Sequence, residues 1–146
     1  MERSKKALKA TSIILLIFAV LEVISIITLV AMGENAPSVK GYSFDAHTVD
    51  ILIGAVITFI AISLLINLFL GIKGLRVAKG LGKGKGHITL ATILIVLYIV
   101  SIVVGIIGAI ASTHNWFGVI VEIVSLIILV IYRISAKTIA NPTIEE

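Results

Sequence analysis

Four stretches of this chain run for roughly 20 residues each with no lysine or arginine inside them, at 10–32, 49–72, 88–112 and 116–132. An apolar helix of that length matches the hydrocarbon thickness of a bilayer. In hydrocarbon every backbone N–H and C=O must find its partner within the protein, and a helix satisfies them within the segment. The pattern therefore predicts an all-α, polytopic membrane protein built as one transmembrane domain. Its helices are expected at about 10–32, 49–72, 88–112 and 116–137. They leave an outer loop at 33–48, a basic inner loop at 73–87 and a tail at 138–146.

The composition agrees. Hydrophobic residues make up 59% of the 146 and charged residues 14%, with a mean hydropathy of +1.19. A water-facing domain carries about a quarter charged residues, and this chain has too few to cover a soluble surface. The absence of cysteine excludes a disulfide framework, thiolate-bound zinc, iron–sulfur clusters and cysteine catalysis. The first apolar run follows the basic start Arg3, Lys5, Lys6, as a secretory signal does. It is too long for one, and Gly33-Glu34-Asn35-Ala36 is a poor cleavage site, so a retained helix is expected.

Placement of the bases sets the expected orientation. With both termini on one side, that side holds Arg3, Lys5, Lys6 and Lys9, then Lys73, Arg76, Lys79, Lys83 and Lys85, and finally Arg133 and Lys137. Lys40 alone lies opposite. The positive-inside rule then puts both termini in the cytoplasm, with the cell (plasma) membrane as the expected location. The pI of about 9.5 thus requires no nucleic acid. Basic loops of this kind also attract anionic lipid headgroups, by about 1 kcal/mol per residue, so Lys73, Arg76, Lys79, Lys83 and Lys85 form a candidate lipid- or partner-binding loop. The run Gly80-Leu81-Gly82-Lys83-Gly84-Lys85-Gly86 is expected to be a flexible linker. It lacks the Walker spacing and the preceding strand of a phosphate loop.

Local signals suggest boundaries. Helix 1 is expected to begin near Thr11-Ser12 and to end at Gly33, a C′ glycine. Asp45 or Thr48 is expected to cap helix 2 and Asn115 helix 4, with Val39-Lys40-Gly41-Tyr42-Ser43-Phe44 as a small hairpin or interfacial segment. Helix 2 is expected to continue past the membrane through Gly71 to Lys79. The short link Thr113-His114-Asn115 makes helices 3 and 4 a tight antiparallel hairpin. An up-down-up-down four-helix bundle with helices 1 and 4 adjacent follows.

Helices in lipid gain little from apolar burial against one another, so small and polar residues mark their contact faces. Such stripes are Tyr98, Ser101, Gly105, Gly108 and Ser112 on helix 3, and Gly118, Glu122, Ser125, Leu129 and Tyr132 on helix 4. Helix 2 has two, Gly54-Thr58-Ala61 and Ser63-Asn67-Gly71-Gly74.

Glu22 and Glu122 stand inside apolar runs, where an ionisable group costs a few kcal/mol or more and signals function by default. Each belongs to a Glu-x-x-Ser, with Ser25 and Ser125. Opposed helices 1 and 4 would set Glu22 level with Ser125 and Glu122 level with Ser25, a reciprocal hydroxyl clasp. The same carboxylates, with Ser25, Thr58, Ser101 and Ser125 as further oxygen ligands, make the alternative reading of a proton or cation site. His47, His87 and His114 all fall in connections, away from the carboxylates, so no catalytic constellation forms; no enzyme activity, cofactor or metal is expected. The expected role is a non-enzymatic membrane protein, a homo-oligomer or the accessory subunit of another membrane protein. The alternative is a small proton- or cation-coupled transporter or channel.

Leu21-Glu22-Val23 is similar to the helix-1 glutamate segment of small multidrug transporters, which also have four helices but are shorter, with aromatic residues around the site. More of the chain resembles small tetraspan membrane proteins of Gram-positive bacteria. That resemblance rests on the Lys-Ala-Leu-Lys start, on Leu70-Gly71-Ile72-Lys73-Gly74-Leu75-Arg76-Val77-Ala78-Lys79 and on Val104-Gly105-Ile106-Ile107-Gly108-Ala109. It implies a four-helix fold and no particular activity.

Overall fold

The computed structural model describes residues 1–33, 46–82, 85–112 and 116–141. It is all-helical over them: α1 is Glu2–Gly33, α2 Ala46–Ala78, α3 Gly86–Ser112 and α4 Trp116–Ala140. All four are long and apolar enough to cross a membrane. The expected hairpin at 39–44, the Asp45 and Asn115 caps, Lys83, His114 and the tail beyond 141 lie outside the described residues.

Every helix exceeds its apolar run, for local reasons. α1 starts nine residues before the expected Thr11. Its Arg-Ser-Lys-Lys-Ala-Leu-Lys start is rich in helix formers, Lys6 Nζ sits 3.2 Å from Glu2 Oε1 one turn away, and Leu8 is fully buried. α2 begins at Ala46, so Thr48 lies inside it rather than capping it. At the other end, Gly80 takes φ +76°. Its N–H donates to Val77 O at 2.9 Å, and Leu81 N–H donates to Arg76 O at 2.8 Å. That is a Schellman termination; the first glycine of the expected linker is the C′ residue of α2. α3 opens on the carbonyl of Lys85, which accepts from Ile88 and Thr89 N–H at 3.0 and 3.1 Å. His87 therefore belongs to the first turn of α3 and is buried, not placed in a connection as its sequence position suggests.

The chain packs as two units, Met1–Ile14 with Leu70–Glu146, and Leu15–Phe69. In the first, one end of each helix contributes to a core: Leu8 and Ser12 from α1, Leu70, Gly71, Gly74 and Val77 from α2, His87 and Ala91 from α3, and Leu129, Tyr132 and Ala136 from α4. These residues recur at three- and four-residue spacing on each helix, the period that keeps them on one face. Tyr132 is the centre. Its hydroxyl donates to Leu70 O at 2.9 Å, and its ring meets that of His87 edge-on at 6.1 Å. Gly74 admits it, because a Cβ there would stand 2.6 Å from Tyr132 Cε2 and collide with Ser12 Oγ.

α3 and α4 pack along their length within this unit. Ser101 meets Glu122 and Thr92 meets Arg133, and an ideal Cβ on Gly105 would come 3.3 Å from Val119. As the α3 number rises the α4 number falls by about as much, so the two helices are antiparallel. In the second unit, Leu15 and Ala19 are buried and Glu22 of α1 bonds to Ser63 and Asn67 of α2. Outward faces are apolar, as at Phe59, 80% exposed, and Leu65, 67% exposed. Such a surface suits hydrocarbon rather than water.

Candidate functional site

Each of the two carboxylates inside the apolar runs is held by a side chain from another helix of its own unit. Glu22 continues the inward stripe of α1 after Leu15 and Ala19, at the same three- and four-residue spacing. Its Oε1 accepts from Ser63 Oγ and from Asn67 Nδ2, the latter at 3.0 Å. Ser63 and Asn67 are four apart, one helical turn, so α2 presents both donors from one face. Asn67 Nδ2 also stands 3.5 Å from Ser63 Oγ, and the three polar groups form one cluster.

Glu122 is built the same way from the other pair of helices. Its Oε1 accepts from Ser101 Oγ at 2.8 Å. Gly105, one turn along α3, lies beside the carboxylate: an added Cβ would stand in ordinary van der Waals contact with Oε2, at 3.5 Å. In both residues Oε2 is buried and has no hydrogen-bond partner.

The two hydroxyls expected to form the reciprocal clasp bond within their own helices. Ser25 Oγ donates to Leu21 O at 3.0 Å and Ser125 Oγ to Val121 O at 2.9 Å, so each hydroxyl's one proton is used within its own helix. Thr58 Oγ1 does likewise with Gly54 O at 2.8 Å. Of the four expected oxygen partners, only Ser101 bonds to a carboxylate. The partners of Glu22, Ser63 and Asn67, stand in the sequence as a polar stripe, but their role as its donors is not evident there. A usable signal was Asn67 itself, since a buried amide in an apolar run needs an acceptor.

The described bases of the basic loop fall at the end of α2 and in the link that follows it. Lys73 and Arg76 are exposed on α2. Lys79 and Lys85 are exposed beside the link. Among the described residues no three of His, Asp and Glu converge as metal ligands would.

Comparison with protein-family models, with curated proteins and with solved structures finds no match to this chain.

Proposed function

We propose that this chain is a non-enzymatic integral membrane protein, inserted through four spans with both termini in the cytoplasm. It works by self-association or as an accessory subunit of a membrane complex, and Glu22 and Glu122 hold its helices together. One observation carries this reading: both carboxylates have their Oε1 oxygens engaged by donors on another helix, Ser63 and Asn67 for one and Ser101 for the other. In an apolar phase such bonds supply specificity that apolar packing does not. The eleven bases assigned to one side support the orientation. Partners must be met through helix faces or the basic link, because little of the chain lies outside the spans. Gly54 and Thr58, exposed on α2 with no atom within 4 Å of a Cβ on Gly54, offer one such face.

A second reading, a proton- or cation-coupled transporter, draws on the two buried Oε2 atoms that lack partners. Flux decides between them. Purified protein in proteoliposomes, with an imposed proton or sodium gradient, is expected to leak no faster than empty vesicles. Flux that disappears in Glu22→Gln or Glu122→Gln, with helicity unchanged, establishes the transporter instead.

A further inference from the structure

Arg133 has no part in the cluster around either carboxylate, yet it is held between α3 and α4. Its Nε donates to Thr92 Oγ1 of α3 at 2.7 Å, and the Thr92 hydroxyl in turn donates to Ile88 O at 2.8 Å. Thr92 can therefore only accept from Arg133, and this relay fixes the guanidinium plane across the α3/α4 seam. Arg133 is half-buried. Its two terminal amino groups have no carboxylate partner among the described residues. Glu2, an acid of the same unit among the described residues, is paired with Lys6.

Two more bases stand on the same two chain segments. Lys137 lies one turn beyond Arg133 on α4, and Lys85 immediately precedes α3, seven residues before Thr92; both are exposed. In the opposite direction along the same face of α3 come Val96 and Ile99, exposed by 57% and 49%. Position along the helix completes the pattern. Arg133 stands about 26 Å along the α4 axis from Trp116 at 1.5 Å per residue, close to the roughly 30 Å hydrocarbon thickness. Trp116, half exposed, marks the opposite interface as tryptophans do.

We propose that Arg133, with Lys137 and Lys85, binds the phosphate of an anionic phospholipid, whose acyl chains lie along Val96 and Ile99. A guanidinium held by its Nε still presents two amino groups to phosphate oxygens, the planar recognition at which arginine exceeds lysine. The apolar strip beside the bases favours an amphiphile over free phosphate. Net positive charge favours phosphatidylglycerol over a zwitterionic lipid. This site rests on the reading that the helices span a bilayer, and it adds a specific seam to the general attraction of the basic link.

The test is native mass spectrometry of the intact protein from detergent, titrated with phosphatidylglycerol, phosphatidylcholine or inorganic phosphate. The wild type is expected to retain one phosphatidylglycerol in preference to phosphatidylcholine, and millimolar inorganic phosphate is expected not to displace it. Arg133→Ala should weaken retention about tenfold, the loss of a charge-assisted contact. Arg133→Lys should restore part of it. Thr92→Val leaves every charge in place and should still weaken retention roughly threefold by freeing the guanidinium plane. Arg76→Ala, on another face, should change nothing. Equal losses in Arg76→Ala and Arg133→Ala, an unaffected Thr92→Val, or displacement by inorganic phosphate would each overturn the site. Carbonate extraction separates the two levels: release of the chain from membranes contradicts the spanning reading, whereas retention without selective lipid binding contradicts the site alone.

Discussion

The hydroxyl of Tyr132 on α4 donates to the backbone carbonyl of Leu70 on α2, 2.9 Å away and 62 positions back in the chain. The carbonyl of a helical residue keeps a second lone pair after its own ladder bond, so α2 gains a tie to α4 without losing a turn. The tie depends on Gly74, one turn beyond Leu70, because only a residue without Cβ lets the tyrosine ring cross the helix so closely. Ser12 closes the same gap from α1.

Gly74→Ala is therefore expected to destabilise by about 1–3 kcal/mol, the usual cost of overpacking. Gly54→Ala, with nothing within 4 Å of the new methyl, is expected to be neutral or to stabilise by up to about 1 kcal/mol through helix propensity. Reversible unfolding in mixed micelles checks both. Equal behaviour of the two variants would remove Gly74 from the contact described.

Tyr132→Phe keeps the ring against His87 and deletes only the bond to Leu70 O. Unfolding measured the same way should show a loss of about 1 kcal/mol, a typical net hydrogen bond, and less than the Gly74→Ala loss. A Phe variant as stable as the wild type would mean that the ring alone holds the core.

Gly80 holds φ +76° at the end of α2. Substitution by alanine forces a side chain into the left-handed region at a cost of about 1 kcal/mol, while Gly86→Ala, in open space at ordinary φ, costs little. Amide exchange should quicken for Gly80 and Leu81, which donate to Val77 and Arg76, in Gly80→Ala alone. Unchanged exchange there would show that the Schellman bonds do not hold this end.

Absence of cysteine makes the orientation directly testable. Single cysteines at Lys9, Arg76 and Lys137 are expected to be shielded from a membrane-impermeant maleimide in intact cells, and one at Lys40 to react. Labelling of Arg76→Cys from outside would invert the proposed topology.

Much of this was legible in the sequence. The apolar runs located all four helices, because span length is a one-dimensional property. The stripe Ser63-Asn67-Gly71-Gly74 on α2 is buried or half-buried, and Ser101-Gly105 on α3 is turned toward α4, since helical periodicity fixes which residues share a face. The partner helix was not legible. Level positions on α1 and α4 suggested the Glu22–Ser125 and Ser25–Glu122 pairs, but level says nothing about which neighbour a face is turned toward. Ser25 and Ser125 also had a competing acceptor one turn back in their own helices, which a residue pattern does not reveal. Helix ends were missed for a related reason: hydropathy sees the apolar run, whereas the amphipathic turns around Leu8, Val77 and His87 continue beyond it on a single buried face.

The most direct test of the account is a double-mutant cycle on Ser101 and Glu122, which are 2.8 Å apart. Ser101→Ala, Glu122→Ala and the double variant are compared by reversible unfolding in mixed micelles. If Glu122 serves to hold α3 against α4, the coupling should be favourable by about 0.5–1.5 kcal/mol, within the range for hydrogen bonds between membrane helices. Zero coupling, with Glu122→Ala more stable than the wild type, would contradict the account and mark Glu122 as a residue kept at the expense of stability for another task.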